Sequence, residues 1–545
     1  MTKRYLVTSA LPYANGVVHL GHIAGAYLPA DFYTRWRRLR GDNVLFVCGN
    51  DDHGVPITIA AEKEGITPQE LTDRYYKTNS QAFRDLGIEF DIFSRTSAPE
   101  HVSVAQEFFT KLHQTGEIFA QDGEQFYCEK CMRYLPDRYV EGICPACGAE
   151  GARGDQCEAC GKWYEALTLK QPYCRDCKQT PIVKATRHWY LALDKYEDRL
   201  RDWLNTRENW RDKVLNFAKG WVNEGLRPRA ITRDIDWGVP VPLDEAKGKV
   251  LYVWFDAPIG YVTFTQQYFA ALGDPDGWKD WWQDDETDLI HFIGKDNIVF
   301  HALVFPATLM GQGGYVLPTN VPANEFLTFG GEKGSKSRGN AITVPEYLEK
   351  YPADMIRYYL TINAPETKDA NFSWDDFAAR NNDELADVFG NLYHRIQTFA
   401  HKYFDGEMPA DVPKDSPLLQ QVRSTKEKFD TLTGAFEIRD AMREVLTLAR
   451  WGNKFFDEEK PWASRKEDIN RCGAAIAACL ELCAALAVLT WPCMPNAAQK
   501  LWAMLALDGD IDKDGWKRLG EPMLAKGHKL NKPEILFRKI ETVLT

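Results

Sequence analysis

The chain lacks any charge-free apolar stretch long enough to cross a bilayer. Its nearest approach, Gly473 to Trp491, is broken by Glu481 and stopped by Pro492, so a buried bundle helix is expected and no membrane partner. It has no apolar leader either, since Met1-Thr2-Lys3-Arg4 passes straight into a short strand-like run, and a cytoplasmic setting follows. Positive charge is not in excess. With 66 Lys and Arg against 78 Asp and Glu the net charge is -12, which argues against indiscriminate coating of nucleic acid and leaves RNA binding to local basic patches. Low-complexity segments are missing, and the only repeated unit is a paired cysteine. Of 13 cysteines, eight fall between Cys128 and Cys177, all in CxxC pairs. Without an export signal these read as metal ligands and not as disulfides.

What is present begins with alternation. At 545 residues the chain exceeds one core, and three or four domains are expected. Tyr5 to Thr8 is a short apolar run, followed by Ser9-Ala10-Leu11-Pro12-Tyr13-Ala14-Asn15-Gly16 and then His19-Leu20-Gly21-His22. Asn15-Gly16 marks a turn, and Ile23 to Arg40 has the length of a helix closed by Gly41. Two histidines three apart at a helix start share a face, beside free backbone N–H groups and the positive end of the dipole, which suits phosphate. Pro29 conflicts with one continuous helix and demands a bend or a break. Val44 to Cys48 is a second apolar run, ending in Gly49-Asn50-Asp51-Asp52-His53-Gly54. Thr67-Pro68-Gln69-Glu70 and Ser97-Ala98-Pro99-Glu100 both read as capping boxes opening helices. Strand, helix, strand, helix predicts a parallel doubly wound sheet with ligands at the carboxyl ends of its strands.

From about Gln121 the alternation stops for four pairs: Cys128/Cys131, Cys144/Cys147, Cys157/Cys160 and Cys174/Cys177. Four pairs supply tetrahedral sites for two zinc ions. Nesting is expected, with Cys144, Cys147, Cys157 and Cys160 holding the first and Cys128, Cys131, Cys174 and Cys177 the second. Four thiolates leave no position for water, so the zinc is structural and stiffens an insertion with little core of its own. Trp189 to Arg229 reads as helices dense in Trp, Arg and Lys. Val250 to Phe255 reads as a further strand ending in Asp256-Ala257-Pro258-Ile259-Gly260-Tyr261, and Leu289 to Ile293 as another ending in Gly294-Lys295-Asp296. Phe329 to Asn340 holds four glycines and three cations, the composition of a mobile anion-closing flap, although a solvated basic loop has the same composition. From Ser373 the chain reads as all-helical to its end, with Leu385, Val388, Phe389, Leu392, Ile396 and Phe399 forming one apolar stripe.

These motifs together resemble the class I aminoacyl-tRNA synthetases, and most closely the methionyl-tRNA synthetases. His19-Leu20-Gly21-His22 is similar to the HIGH signature and Lys333-Gly334-Ser335-Lys336-Ser337 to the KMSKS signature, with Gly334 in place of the usual Met. The resemblance extends over Ala10 to Gly16, Tyr252 to Tyr261, His291 to His301, the cysteine insertion and the helical part. It implies an α/β fold in which a doubly wound parallel, Rossmann-like sheet is interrupted by a zinc-knuckle insertion and followed by an all-α bundle. The expected divisions are 1–117 and 231–325 for the two catalytic halves, 118–230 for the insertion, 326–372 for the KMSKS-type loop and stem-contact region, and 373–545 for the anticodon-binding bundle.

It also implies a ligase that joins L-methionine to the 3′ end of tRNA(Met) through a methionyl-adenylate, with Mg2+ accompanying ATP. By the resemblance, His19, His22, Lys333 and Lys336 are catalytic; His19, Gly21, His22, Gly294, Asp296 and Lys336 hold ATP. Ala10, Leu11, Tyr13, Asp51, Trp254, Ala257, Pro258, Tyr261, Ile298 and His301 hold methionine, Asp51 being selected by aligning His53-Gly54. Asn391, Arg395 and Trp462 read the anticodon, an aromatic for stacking beside polar groups for base edges. No protein nucleophile is apparent, because the substrate carboxylate attacks the α-phosphorus itself. The end at Thr545, soon after the bundle, favours a monomer. A cysteinyl-type synthetase and a non-catalytic RNA-binding paralogue share parts of this pattern. Amino-acid-dependent pyrophosphate exchange separates the three.

Overall fold

The computed structural model describes residues 3–154, 157, 159–160, 162, 164–333 and 341–543. Five strands, β1 (Arg4–Ser9), β2 (Asn43–Asn50), β3 (Ile92–Arg95), β4 (Thr287–Gly294) and β5 (Pro318–Asn320), form a parallel sheet in the order β5-β4-β1-β2-β3, and Ala323–Asn324 extends the pairing of β4. β1 and β4 lie side by side from Arg4↔Thr287 to Ser9↔Phe292, so the order reverses between them and the crevice of a doubly wound sheet opens at their carboxyl ends. Leu6 and Val7 are fully buried, as expected of a strand covered on both faces.

The insertion leaves this sheet after β3. Its stem is a long antiparallel hairpin of Ile118–Cys128 with Ile182–Leu191, so the run from Trp189 begins in a strand and turns helical only afterwards, at Glu197–Asn205 and Asp212–Asn223. Beyond the stem, Phe126, Leu135, Tyr139, Val140 and Leu169 form a small apolar cluster with Cys128, Cys144, Cys157 and Cys174.

One local expectation is met and two are corrected. The helix after His22 is in two pieces: a π-type segment Ile23–Tyr27 precedes the α-helix Leu28–Leu39, which places Pro29 in the first turn of the second piece, where no intrahelical N–H is required of it. Val250–Leu251 is only a two-residue strand paired with Thr232–Arg233, outside the parallel sheet, and the helix Val253–Ala271 starts immediately after. Trp254, Ala257, Pro258 and Tyr261 therefore stand at i, i+3, i+4 and i+7 on one helical face. Ser97 does not cap a helix. Pro99 takes the first helical position of Pro99–Gln114, which makes Ala98 the N-cap, and the Ser97 hydroxyl donates instead to Asp52 at 2.6 Å. Thr67, directly before Pro68, does form its capping box with Glu70.

The second part is helical from Trp374 to Arg518, and 519–543 then crosses it without helix, which corrects the expectation of helix to the end. Ile469–Thr490 is long and apolar enough to cross a membrane, but 89% of its most apolar window is buried. Its Glu481 accepts the backbone N–H groups of Met523 and Leu524 at 2.9 and 2.8 Å, and burial pushes its carboxyl up to about 7. The two parts are joined through buried Arg357, which donates to Asp31 at 2.6 Å and to the carbonyls of Pro492 and Cys493 at 3.0 and 2.8 Å.

Candidate active site

A cleft of about 1050 Å³ opens at the carboxyl ends of β1 and β4. The chain leaving β1 contributes Ala10, Leu11, Tyr13, His19, Gly21 and His22 to its lining, and the turn after β4 contributes Gly294, Asp296 and Ile298. His19 caps the short helix Leu20–His22. Its Nδ1 accepts the Gly21 N–H at 3.1 Å, while the His22 Nδ1 accepts the His19 N–H at 3.3 Å, and the two rings stack at 3.7 Å. An imidazole that accepts at Nδ1 carries its proton at Nε2, so in both rings the N–H is at Nε2. The segment that follows the second signature meets the first through the backbone. Leu20 donates to Ile342 at 2.9 Å and Val344 to Val18 at 3.1 Å, while Glu332–Lys333 pairs antiparallel with Thr328 and Phe329. Gly334 and Lys336 lie outside the described residues.

Three acids crowd the end of β2, and their partners differ. Asp52 takes Arg95 at 2.5 Å and Ser97 at 2.6 Å on one oxygen. Asp256, on the helix Val253–Ala271, accepts from His53 at 2.7 Å. Burial works against its charge, but His101 and His53 hold its carboxyl below the usual range. Asp51 is 2% exposed, and among the described residues its carboxylate receives only the backbone N–H of His53, at 3.4 Å. Burial, followed by the nearby charge of Asp256, raises its carboxyl well above the usual range. No ion pair reaches Asp51 among the described residues.

Trp254 lines the cleft and stacks on Phe300 at 4.3 Å. Ala257, Pro258, Tyr261 and His301 lie buried behind that wall. Tyr261 pairs with His301 Nε2 at 3.0 Å, and His301 Nδ1 with the Asn297 carbonyl at 3.1 Å. The carbonyl can only accept, so Nδ1 carries the proton and the tyrosine hydroxyl donates to Nε2. Burial pulls the His301 imidazole down to about 4, which keeps it neutral. The sequence reading overlooked the rim of the cleft, where Lys213, Phe217 and Trp221 stand together on the helix Asp212–Asn223. Their spacing of four is the signal that could have shown it. Arg138, Arg153 and Arg233 complete this cationic, aromatic edge.

The cysteines group as nested sets: Cys144, Cys147, Cys157 and Cys160 in one, Cys128, Cys131, Cys174 and Cys177 in the other, with the sulfurs of each set within 4.8 Å of one another. Neighbouring sulfurs are 3.4 and 3.9 Å apart in the outer set and 3.9 and 3.7 Å in the inner. Tetrahedral zinc with bonds of about 2.3 Å requires sulfurs about 3.8 Å apart, so both sets fit the ion.

Far along the bundle, Arg395 donates to Asp457 at 2.6 Å and lies over the Phe456 ring at 4.6 Å. Phe456 in turn is 6.1 Å from Trp462, which is 47% exposed. Asn391 is exposed one turn before Arg395 on the same helix. Phe456 and Asp457, absent from the sequence reading, thus bring Arg395 and Trp462 onto one surface.

Comparison with known proteins agrees with this layout. A family described as tRNA synthetases class I (M) matches residues 5–397, and one described as the anticodon binding domain of methionyl tRNA ligase matches 407–543. The chain is 49% identical over 546 residues to a methionine–tRNA ligase of Bacteroides fragilis, covering 99% of this chain and 79% of that one. The corresponding protein of Porphyromonas gingivalis is 47% identical over 549 residues, with coverage of 99% and 79%. A structure of Mycobacterium tuberculosis methionyl-tRNA synthetase in complex with methionyl-adenylate matches with a TM-score of 0.80 at 26% identity, over 98% of this chain and 99% of that one.

Proposed function

The chain belongs to the methionyl-tRNA synthetases of class I, and on that premise we propose how its residues divide the reaction. It is a methionine–tRNA ligase: it activates L-methionine with ATP to methionyl-adenylate and pyrophosphate, then passes the methionyl group to the 3′ end of tRNA(Met). The observation that carries the division of labour is Asp51, a buried carboxylate that has no cationic partner among the described residues. A buried charge that nothing inside the protein neutralises is costly, and the α-ammonium of methionine supplies the missing cation.

The ammonium on Asp51 sets one end of the amino acid. The thioether then runs along Ala10, Leu11, Tyr13, Trp254 and Ile298, with Ala257, Pro258, Tyr261 and His301 behind them. Aromatic and aliphatic walls suit a flexible, polarizable side chain. The carboxylate attacks the α-phosphorus of ATP, which enters with Mg2+ as its substrate complex. His19 and His22 donate their Nε2–H groups to phosphate oxygens at a helix start, and Lys333 and Lys336 neutralise phosphate charge. Asp296 takes the ribose hydroxyls beside Gly294. Each role is positional or electrostatic, which is what a phosphoryl-type transfer needs.

In the second step the Lys213, Phe217 and Trp221 edge suits the single-stranded tRNA end, with rings for stacking and cations for phosphates. Asn391, Arg395 and Trp462 read the anticodon. The two cysteine sets hold structural zinc, whose role is to brace the insertion. Monomeric action in the cytoplasm belongs to the same proposal and is checked by light scattering. The decisive assay is ATP–pyrophosphate exchange across a panel of amino acids without tRNA. Exchange with methionine alone is expected; exchange driven by another amino acid, or none at all, overturns the reading.

A further inference from the structure

The two halves of the amino-acid site come from opposite sides of the insertion, and something must hold their spacing. One half is the loop Asp51-Asp52-His53-Gly54 after β2; the other is the first two turns of Val253–Ala271. Among the described residues one buried hydrogen bond joins them. His53 donates from Nδ1 to Asp256 at 2.7 Å, across 203 positions of sequence. Both residues flank site residues directly: His53 lies two after Asp51, and Asp256 lies between Trp254 and Ala257.

Other contacts reinforce the same joint. His101, fully buried on Pro99–Gln114, brings its Nε2 to 3.8 Å from the same Asp256 oxygen, and its Nδ1 pairs with the Thr263 hydroxyl two turns along at 3.1 Å. Gly54 has φ +92°, and a Cβ there would stand 3.1 Å from the Val253 Cβ, so the loop is pressed against the helix start. On the other side, Trp237 donates to the Asp52 carbonyl at 2.6 Å and meets the His53 ring edge-on at 5.8 Å.

We propose that His53, Asp256 and His101 form a spacer that sets the distance between Asp51 and the wall Trp254–Ala257–Pro258–Tyr261, and thereby the side-chain length the enzyme accepts. This rests on the reading of Asp51 as the ammonium site. The spacer residues touch no substrate; they are positioning residues. An apolar pocket distinguishes one methylene by about 10–200-fold, and that margin depends on the wall staying at a fixed distance from the anchored ammonium.

Two effects of Asp256→Asn oppose each other, which makes the test directional. Removing a negative charge near Asp51 would ease ionisation of Asp51 and tighten methionine binding. Loosening the joint would weaken it and blur the choice of length. The spacer predicts that in pyrophosphate exchange Asp256→Asn raises KM for methionine about ten-fold, leaves KM for ATP within about two-fold, and lowers the methionine-over-homocysteine ratio of kcat/KM about ten-fold. Thr263→Val, which removes the outer contact of His101 together with a 3.4 Å bond from the same hydroxyl to the Ile259 carbonyl one turn back, should shift the same ratio in the same direction by a smaller factor and serves if Asp256→Asn does not fold. An unchanged ratio in the soluble variant, or a lowered KM for methionine, overturns the spacer. Asp51→Asn, measured alongside, separates the two ideas: if it leaves KM for methionine unaltered, the ammonium reading has failed, whereas a raised KM there with an unchanged ratio in Asp256→Asn means that the spacer alone has failed.

Discussion

Replacing Asp51 by asparagine keeps the size of the side chain and its contact with the His53 N–H while deleting one charge. At about 4 Å and an effective dielectric of about 20, two unit charges attract by about 4 kcal/mol, and breaking one partner of a buried pair costs about 3–5 kcal/mol. The amide can still accept one hydrogen bond from the ammonium, so the loss should sit at the lower end, near 3 kcal/mol, or about 10²-fold in kcat/KM for methionine. Methionine-dependent pyrophosphate exchange reads this directly, and KM for ATP should stay within about three-fold. Burial and then Asp256 raise the Asp51 carboxyl above the ordinary range, so in the free enzyme its ionisation is a cost. The folded protein holds this proton more tightly than the unfolded chain, and the advantage of the neutral form is complete below the ordinary carboxylate pKa and lost as pH rises through the raised one. Asp51→Asn should therefore melt at a higher temperature than the parent at neutral pH, with the gap closing toward about pH 4. The same titration should raise KM for methionine in the parent as pH falls into that range. A methionine KM within about three-fold of the parent, or a lower melting temperature at neutral pH, would refute the reasoning.

Lys336→Ala should slow adenylate formation by about 10²–10³, the usual loss on removing one oxyanion donor; near-parental exchange would reject its role. Metal analysis of the purified protein should find two zinc ions per chain, and Cys157→Ser or Cys131→Ser should each remove one while destabilising the insertion, whose own apolar cluster is small. Trp462→Ala should cut tRNA charging far more than pyrophosphate exchange, because the ring lies on the bundle surface with Arg395 and Phe456; equal losses in the two assays would rule out anticodon reading.

Local pattern carried much of this architecture, and its failures have physical causes. The apolar runs at Tyr5, Val44 and Leu289 were legible as strands because a sheet covered on both faces leaves no polar alternation. Val250 to Phe255 has the same composition, yet only Val250–Leu251 is strand; short apolar runs do not distinguish strand from buried helix. The deciding signal lay downstream, in the i, i+3, i+4, i+7 spacing of Trp254, Ala257, Pro258 and Tyr261. At Ser97 a Ser-x-x-Glu spacing competes with the preference of Pro99 for the first helical position, and the proline sets the boundary. The nested cysteines were readable because ligand spacing is a local property. The partners of Asp52 and Asp256 were not, because Arg95, His53 and His101 reach them only through tertiary folding.

On the proposed reading Asp51 is the acid left for substrate, and the partners of the other two acids bear on why. Asp51, Asp52 and Asp256 are all buried around the end of β2, and three uncompensated carboxylates there would be untenable. The fold answers two of them internally: Arg95 and Ser97 on Asp52, His53 and His101 on Asp256. Each answer also fixes geometry, the first tying the loop to the end of β3 and the residues just after it, the second tying it to the helix Val253–Ala271. Neutralising Asp51 as well would gain stability and forfeit the recognition of a cation. On the proposed reading, leaving Asp51 without a cation among the described residues concentrates the cost where the substrate can repay it, so the instability of the empty site and its affinity for an ammonium would have the same origin.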